Sequence, residues 1–265
     1  MGRLKIDSLG RVGIGTMSPL RELDVVNTSG DADLRIESTG TGGDGRLELI
    51  ADNTGVSQIR LGDQDSNNPG AITYTHTENT LSFKVNNEER IRIDDFGRLL
   101  VGTSTALTSP APSRFQVSGT DFGSSSIRQT RYQSDVPGAS LILSHARGTQ
   151  ASPTILLNGD ELGKIRWNAH DGTDFQSVGA EIKAVLDGTI LENKTPSKLV
   201  FSTTDANASS ATPRLTIDSS GTATFAGSLN VGTVSVYADN SAAIAGGLSA
   251  GDIYRKSDGT LMITY

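Results

Sequence analysis

One phrase occurs three times in the chain, and it narrows the possible folds more than any other feature. Arg3-Leu4-Lys5-Ile6-Asp7-Ser8-Leu9-Gly10-Arg11-Val12-Gly13-Ile14 opens the chain. Arg90-Ile91-Arg92-Ile93-Asp94-Asp95-Phe96-Gly97-Arg98-Leu99-Leu100-Val101 repeats it, and Arg214-Leu215-Thr216-Ile217-Asp218-Ser219-Ser220-Gly221-Thr222-Ala223-Thr224-Phe225 is a looser third copy. In each, apolar and polar residues alternate up to an Asp, and the alternation resumes beyond a Gly three positions later. Alternation with period two marks a half-buried strand. Asp in the first position and Gly in the fourth suit a type I turn. Each copy therefore predicts a short β-hairpin with one apolar face. A lone hairpin of this size is unstable in water, so that face must pack on something else.

The intervals between copies correspond as well. After the first two hairpins a polar or Pro-containing link, Met17-Ser18-Pro19 or Ser109-Pro110-Ala111-Pro112, leads to a strand-like triplet, Leu23-Asp24-Val25 or Phe115-Gln116-Val117. Arg46-Leu47-Glu48-Leu49 then matches Ser140-Leu141-Ile142-Leu143, and Gln58-Ile59-Arg60-Leu61 matches Lys164-Ile165-Arg166-Trp167. Leu81-Ser82-Phe83 matches Leu199-Val200-Phe201. The expected fold is all-β, with two related β-sandwich-like modules punctuated by repeated hairpins. Residues 1–16 form the first hairpin, 17–89 the first module, 90–103 the second hairpin and 104–213 a second, loop-enlarged module. Residues 214–265 hold the third hairpin and a C-terminal β segment. No helix is predicted, because Gly, Pro, Asn-Gly or Asp-Gly interrupts nearly every longer stretch. Near the end, Leu229–Val231 and Val234–Val236 read as short β pieces, and Ser257-Asp258-Gly259 reads as the turn of a last hairpin.

Composition excludes several classes of function. With no Cys, thiolate metal sites, disulfides and Cys nucleophiles are ruled out. A net charge of −7 argues against wrapping nucleic acid, since that affinity rests on Lys and Arg. No apolar run reaches the 18 or so residues of a membrane span, and the N-terminal residues do not read as a secretory signal. Leu, Ile, Val and Phe make up about 24% of the chain, just above the roughly 20% below which chains tend to stay disordered. A core is possible, and it is a lean one.

Candidate chemistry is sparse. Gly40-Thr41-Gly42-Gly43-Asp44-Gly45 fits G-x-G-x-x-G, but a strand-like string follows where the dinucleotide fingerprint needs a helix. Asp63-Gln64-Asp65-Ser66-Asn67 begins like a calcium loop, yet Asn68 stands where Gly is required and Tyr74 where a bidentate Glu is required. A polar turn is the default there, with a looser surface calcium site as the alternative. Asp160, Glu161, Asp171, Asp174 and Glu181 could supply the paired carboxylates of a polysaccharide hydrolase, but nothing sets one pair apart. No nucleophile elbow accompanies His145 or His170. The expectation is therefore no catalytic residue, no metal and no cofactor.

Binding is better supported. The first hairpin-to-hairpin interval is 87 residues and the second 124, and the surplus falls mainly at 144–161, 186–198 and 104–113. Insertions in a repeated unit tend to project as loops that carry a binding face. The receptor-contact candidates are accordingly His145, Arg147, Asn158, Asp160, Asn193 and Lys194, joined by Asn168, His170 and Asp171 from the turn that follows Trp167. Trp167, the only Trp, could stack on a sugar ring, but it aligns with Leu61 and reads better as core. His76 shares a strand face with Ile72 and Tyr74 and reads as a packed or interfacial residue.

The phrase Arg-aliphatic-x-Ile-Asp-x-x-Gly, with its Gly-Thr-rich second strand and Ser-Pro link, resembles the recurring element of bacteriophage tail fibres and other virion fibres, especially those of marine cyanophages. The stretch from Gly246-Gly247-Leu248-Ser249 to Tyr265 resembles a common C-terminus in the same group. The resemblance implies an elongated homotrimer located in the virion, with intertwined β segments between β modules, partnered by other virion proteins and a host-surface glycan or protein, and without membrane insertion. The family's N-terminal anchoring domain and C-terminal self-cleaving chaperone are not recognisable here. Trimerisation would bury Ile6, Ile14, Ile93, Val101, Ile217 and Phe225 against symmetry mates. The alternative, in which each hairpin caps its own module in a monomer, stays open, as do a head, collar or baseplate fibre and a polysaccharide-degrading tailspike.

Overall fold

The structure, a computed structural model, describes residues 4–28, 31–63, 65, 66, 68–108, 111–134, 136, 138–230 and 234–265. Arg3 of the first hairpin, Gln64 and Asn67 of the candidate calcium loop, Ser109-Pro110 of the second link and Val231 lie outside them.

All three hairpins form. Strands β1 (Leu4–Ile6) and β2 (Val12–Ile14) pair antiparallel, as do β7 (Glu88–Ile93) with β8 (Leu99–Val101), and β15 (Thr212–Ile217) with β16 (Ala223–Phe225). At each tip the Asp carbonyl accepts from the Gly amide, Asp7 from Gly10, Asp94 from Gly97 and Asp218 from Gly221, at 2.9–3.1 Å. The Gly adopts φ of +79°, +71° and +87° in turn, a conformation that a side chain resists. The Asp side chain closes the turn a second time. Asp94 Oδ1 accepts from the Phe96 and Arg98 amides at 3.0 and 2.9 Å, and Asp7 and Asp218 make the matching pairs. In the first two copies an Arg then clamps the free carboxylate oxygen, Arg11 Nε at 2.8 Å and Arg98 Nε at 2.6 Å. Thr222 occupies that place in the third copy.

The chain divides into two compact units, residues 1–106 with 114–125, and residues 107–113 with 126–265. In the first unit, β3 (Leu23–Val25) adds in parallel to β2. A six-stranded sheet follows, β4 (Val56–Leu61), β5 (Gly70–Thr75), β6 (Thr80–Val85), β7, β8 and β9 (Phe115–Val117), antiparallel except for the final β8–β9 pair. In the second unit β12 (Glu161–Ala169), β13 (Ser177–Leu186), β14 (Ser197–Thr203), β15 and β16 form an antiparallel meander, and β10 (Arg147–Thr149) pairs with β11 (Ser152–Thr154). The second hairpin is thus built into the first large sheet, with β9 beyond it at the edge, and the third hairpin closes the second large sheet. Both sheets carry a bulge at the Arg that opens the phrase. The register skips Arg90 opposite Phe83/Lys84 and Arg214 opposite Phe201/Ser202. The carbonyls of both arginines accept, at 3.0 Å, from the amide that follows the hairpin, Gly102 or Ala226.

Register sorts the side chains by polarity, because successive residues of a strand point to opposite faces. Ile59, Ile72, Phe83, Ile91, Val101 and Val117 form one cross-strand row, and Tyr74, Leu81, Ile93, Leu99 and Phe115 the next. The opposite face of this sheet presents Gln58, Thr73, Ser82, Arg92 and Gln116 in register, with Leu100 as its buried apolar member. The second sheet repeats the arrangement with Ile165, Ile182, Phe201, Leu215 and Phe225 in one row and Ala184, Leu199, Ile217 and Ala223 beside it.

The apolar faces stay largely uncovered within one chain. The buried apolar residues among those described are Ala71, Leu100, Leu156, Leu186, Val200, Ala243 and Tyr254. The chain exposes 19918 Å², against roughly 11,000 Å² for a folded single chain of 27.8 kDa. Treating the units as two separate bodies of half that mass raises the expected figure only to roughly 13,000 Å².

Two readings of the sequence are corrected. A helix, α1 (Asn240–Ala245), is present after all. Asp239 caps it by accepting from the Ala242 amide at 2.8 Å, and Gly246 ends it. This is an Asp…Gly start and stop that the sequence does contain. Second, residues 46–49 and 140–143 are in no strand. Arg46-Leu47-Glu48-Leu49 alternates and Leu141-Ile142-Leu143 is a short apolar run, but no strand among the described residues pairs with either. The last hairpin forms as expected from β17 (Ile253–Arg255) and β18 (Leu261–Ile263), Gly259 taking φ +91°. Val236 makes a single bridge to Arg255.

Candidate functional site

The six interface candidates all fall on the uncovered apolar faces. Ile93 and Val101 lie in the two central rows of the first unit's large sheet, and Ile217 and Phe225 in the corresponding rows of the second. Ile6 and Ile14 share a face of the small sheet with Leu4, Val12, Leu23 and Val25. Ile6 is 62% and Phe225 45% exposed. Trp167 belongs to the same surface. It stands two residues beyond Ile165 on β12, opposite Ala180, and is half exposed.

The receptor candidates separate into two groups. β12 is nine residues long, so its ends lie roughly 30 Å apart at about 3.3 Å per residue. At its start, the turn Leu157–Asp160 has Asn158 exposed and Gly159 at φ +90°. Asp160 accepts both nitrogens of a forked Arg147 contact, Nε at 2.5 Å and Nη2 at 2.7 Å, together with the Leu157 amide at 2.8 Å. Those donors, the guanidinium first, hold the Asp160 carboxyl well below the usual carboxylate range. His145 donates from Nδ1 to the Glu161 carbonyl at 2.7 Å. Antiparallel pairing brings the β13–β14 loop to the same end, where Asn193 takes φ +58° in a tight turn closed by Leu191 and Lys194.

The far end of β12 carries the second group. Asn168 Nδ2 donates to the Phe175 carbonyl at 2.7 Å. The His170 ring meets Phe175 edge-on at 5.0 Å, and its Nδ1 accepts from the Gly172 amide. Asp171 accepts from Ser177 Oγ at 2.6 Å and from the Thr173 and Asp174 amides, which together lower its carboxyl to about 2. These bonds hold the loop on itself and leave the outer surfaces of His170 and Asp171 to solvent.

A pH dependence follows. Asp171 has its folded value below its unfolded one of 3.8, so its contribution to stability is complete above about pH 4 and is lost as pH falls toward 2. Asp160 acts in the same sense. Thermal melting should therefore be level from neutral pH to about 5 and fall below 4. Asp171→Asn should flatten part of that fall, and an unchanged acid limb would refute the assignment.

The first unit has a cleft of about 500 Å³ between the β5–β6 turn, the tip of the second hairpin and residues 104–106. No motif in the sequence marks it.

Among solved structures, the chain is similar to the carboxy-terminal domain of the bacteriophage T5 L-shaped tail fibre with its intra-molecular chaperone domain. Identity is 16% and the TM-score 0.47, over 80% of this chain and 64% of that one. It is also similar to a structure of the carboxy-terminal domain of the same fibre, with 15% identity and a TM-score of 0.46 over 79% of this chain and 92% of that one. This chain therefore spans just under two thirds of the longer of the two. No protein-family model and no curated protein matches the sequence.

Proposed function

We propose that the chain is a structural, non-enzymatic subunit of a phage virion fibre sited in the tail, working as a homotrimer bound to other virion proteins. The observation that carries the reading is the uncovered apolar face of each sheet. The whole chain's excess of at least roughly 6,000 Å² over the expected surface, to which the described residues of the strandless exposed stretches 27–55 and 118–146 contribute along with the faces, leaves room for two obligate interfaces of about 2,000–5,000 Å² each. Second copies of the chain are the natural cover, because each brings an identical face in an identical register. That the number is three comes from the resemblance of the hairpin phrase to phage fibres.

Covering the faces would also give a role to residues 46–49 and 140–143, apolar-rich stretches that pair with no strand among the described residues of their own chain. In the trimer they pair with neighbouring copies, which hides edges that otherwise invite aggregation. The polar loops at the start of β12 stay outside, and there His145, Arg147, Asp160, Asn193 and Lys194 contact a host-surface glycan or protein. Individually weak contacts gain strength from three linked copies.

The test is the solution mass of the purified chain by light scattering, with gel migration before and after boiling in detergent. A mass three times 27.8 kDa that resists unboiled detergent is expected. A monomer of one times that mass would overturn the proposal. For the loops, Arg147→Ala should lower adsorption to host cells while leaving the mass unchanged. Unaltered adsorption would remove that end of the sheet from recognition.

A further inference from the structure

The cleft of the first unit lies at the same end of its sheet as the loop-bearing end of the second. In both sheets the tip of the repeated hairpin meets the turn between the second and third strands. In the second unit that connection is long, and it closes on the tip. Asp187 accepts from Lys198 Nζ at 3.1 Å and from the Ser219 amide at 3.2 Å. In the first unit the connection is only the turn 76–79, and the space stays open at about 500 Å³. Ligand sites commonly measure about 300–1,000 Å³.

The walls specify the ligand class. Thr77, Thr80, Ser104 and Thr105 contribute hydroxyls, and the only apolar wall residue is Ala106, so an aromatic or aliphatic ligand finds little to pack on. An anion is disfavoured because both guanidiniums are already engaged. Arg98 binds Asp94, and Arg92 binds Glu89 and Glu78. Asp95, in contrast, lines the cleft with its carboxylate in no ion pair among the described residues. Carboxylates that accept and hydroxyls that both donate and accept match a polyol. Of the lining residues, Arg92 belongs to the polar face, in register with Ser82 and Leu100, opposite the apolar rows. We infer that this cleft binds a neutral saccharide, with Asp95 and Glu78 accepting its hydroxyls. The inference draws on the fibre reading only for the source of the sugar, a host surface.

Saturation-transfer NMR on the full chain, with mannose, galactose, N-acetylglucosamine and, as the anion, glucuronate, tests it. At least one neutral sugar should bind. Asp95→Ala and Glu78→Gln should each weaken it about tenfold, the loss of one hydrogen bond to a charged group, whereas Arg147→Ala should not. Light scattering on the same samples separates the two readings. A trimer that binds no neutral sugar, binds glucuronate alone, or keeps its affinity in both variants overturns the cleft. A monomer that binds sugar through Asp95 keeps the cleft and overturns the fibre.

Discussion

In the trimer proposed above, Ile93→Asp is expected to break the assembly into single chains. Ile93 stands in the second apolar row of the first unit's sheet, between Leu81 and Leu99, with no charged side chain on its face within that row. A carboxylate placed there and covered by a neighbour has no partner. An uncompensated buried charge costs about 3–5 kcal/mol, and three copies bring the penalty to on the order of 10 kcal/mol per trimer. Ser82→Asp serves as control, since it adds the same charge to the opposite face beside Arg92 and should leave the mass unchanged. Amide hydrogen exchange gives a second readout. Residues 46–49 and 140–143 should be protected in the wild type and exchange freely in Ile93→Asp. Equal exchange in both would show that these stretches make no strands between copies.

Asp94→Ala is expected to destabilise the fold more than any other change at a hairpin tip. Burial pushes the Asp94 carboxyl up, but the Arg98 amide and guanidinium and the Phe96 amide outweigh it and hold the group ionised. Removing it frees two backbone donors and leaves Arg98, whose side chain is only 11% exposed, without its counter-ion. The cost is about 3 kcal/mol or more, read as a lower melting temperature. Asp94→Ala/Arg98→Ala should recover part of the loss, because the stranded charge goes too. Asp218→Ala should cost clearly less, since Thr222 replaces the arginine and no buried charge is left behind. Equal losses at Asp94 and Asp218 would refute the role given to Arg98.

The local parts of this fold were legible residue by residue. Asp7, Gly10, Asp94, Gly97, Asp218 and Gly221 announce the tips because the Asp side chain and Gly backbone act within four residues. Leu81-Ser82-Phe83 and Leu199-Val200-Phe201 could be matched because alternation needs only neighbours along the chain. The helix behind Asp239 went unread because six residues make too short a window for periodicity, although its caps were there. Most receptor candidates were located by insertion length, and Asn168, His170 and Asp171 by their place after Trp167, which says where loops project and not which loops meet. Pairing of β12 with β13 decided that His145, Arg147, Asp160 and Lys194 gather at one end while His170 and Asp171 lie at the other.

The sequence by itself determined the all-β class, the three hairpins and the amphipathic character of the hairpin strands, since these depend on side-chain alternation and turn chemistry over a few residues. Only the tertiary structure decided that the second and third hairpins are built into larger sheets, that the apolar rows run unbroken across six and five strands, and that a polar cleft opens beside Asp95. Those features depend on register between strands distant in sequence. A one-residue slip in register would move every side chain to the other face, and no local pattern records which register is taken.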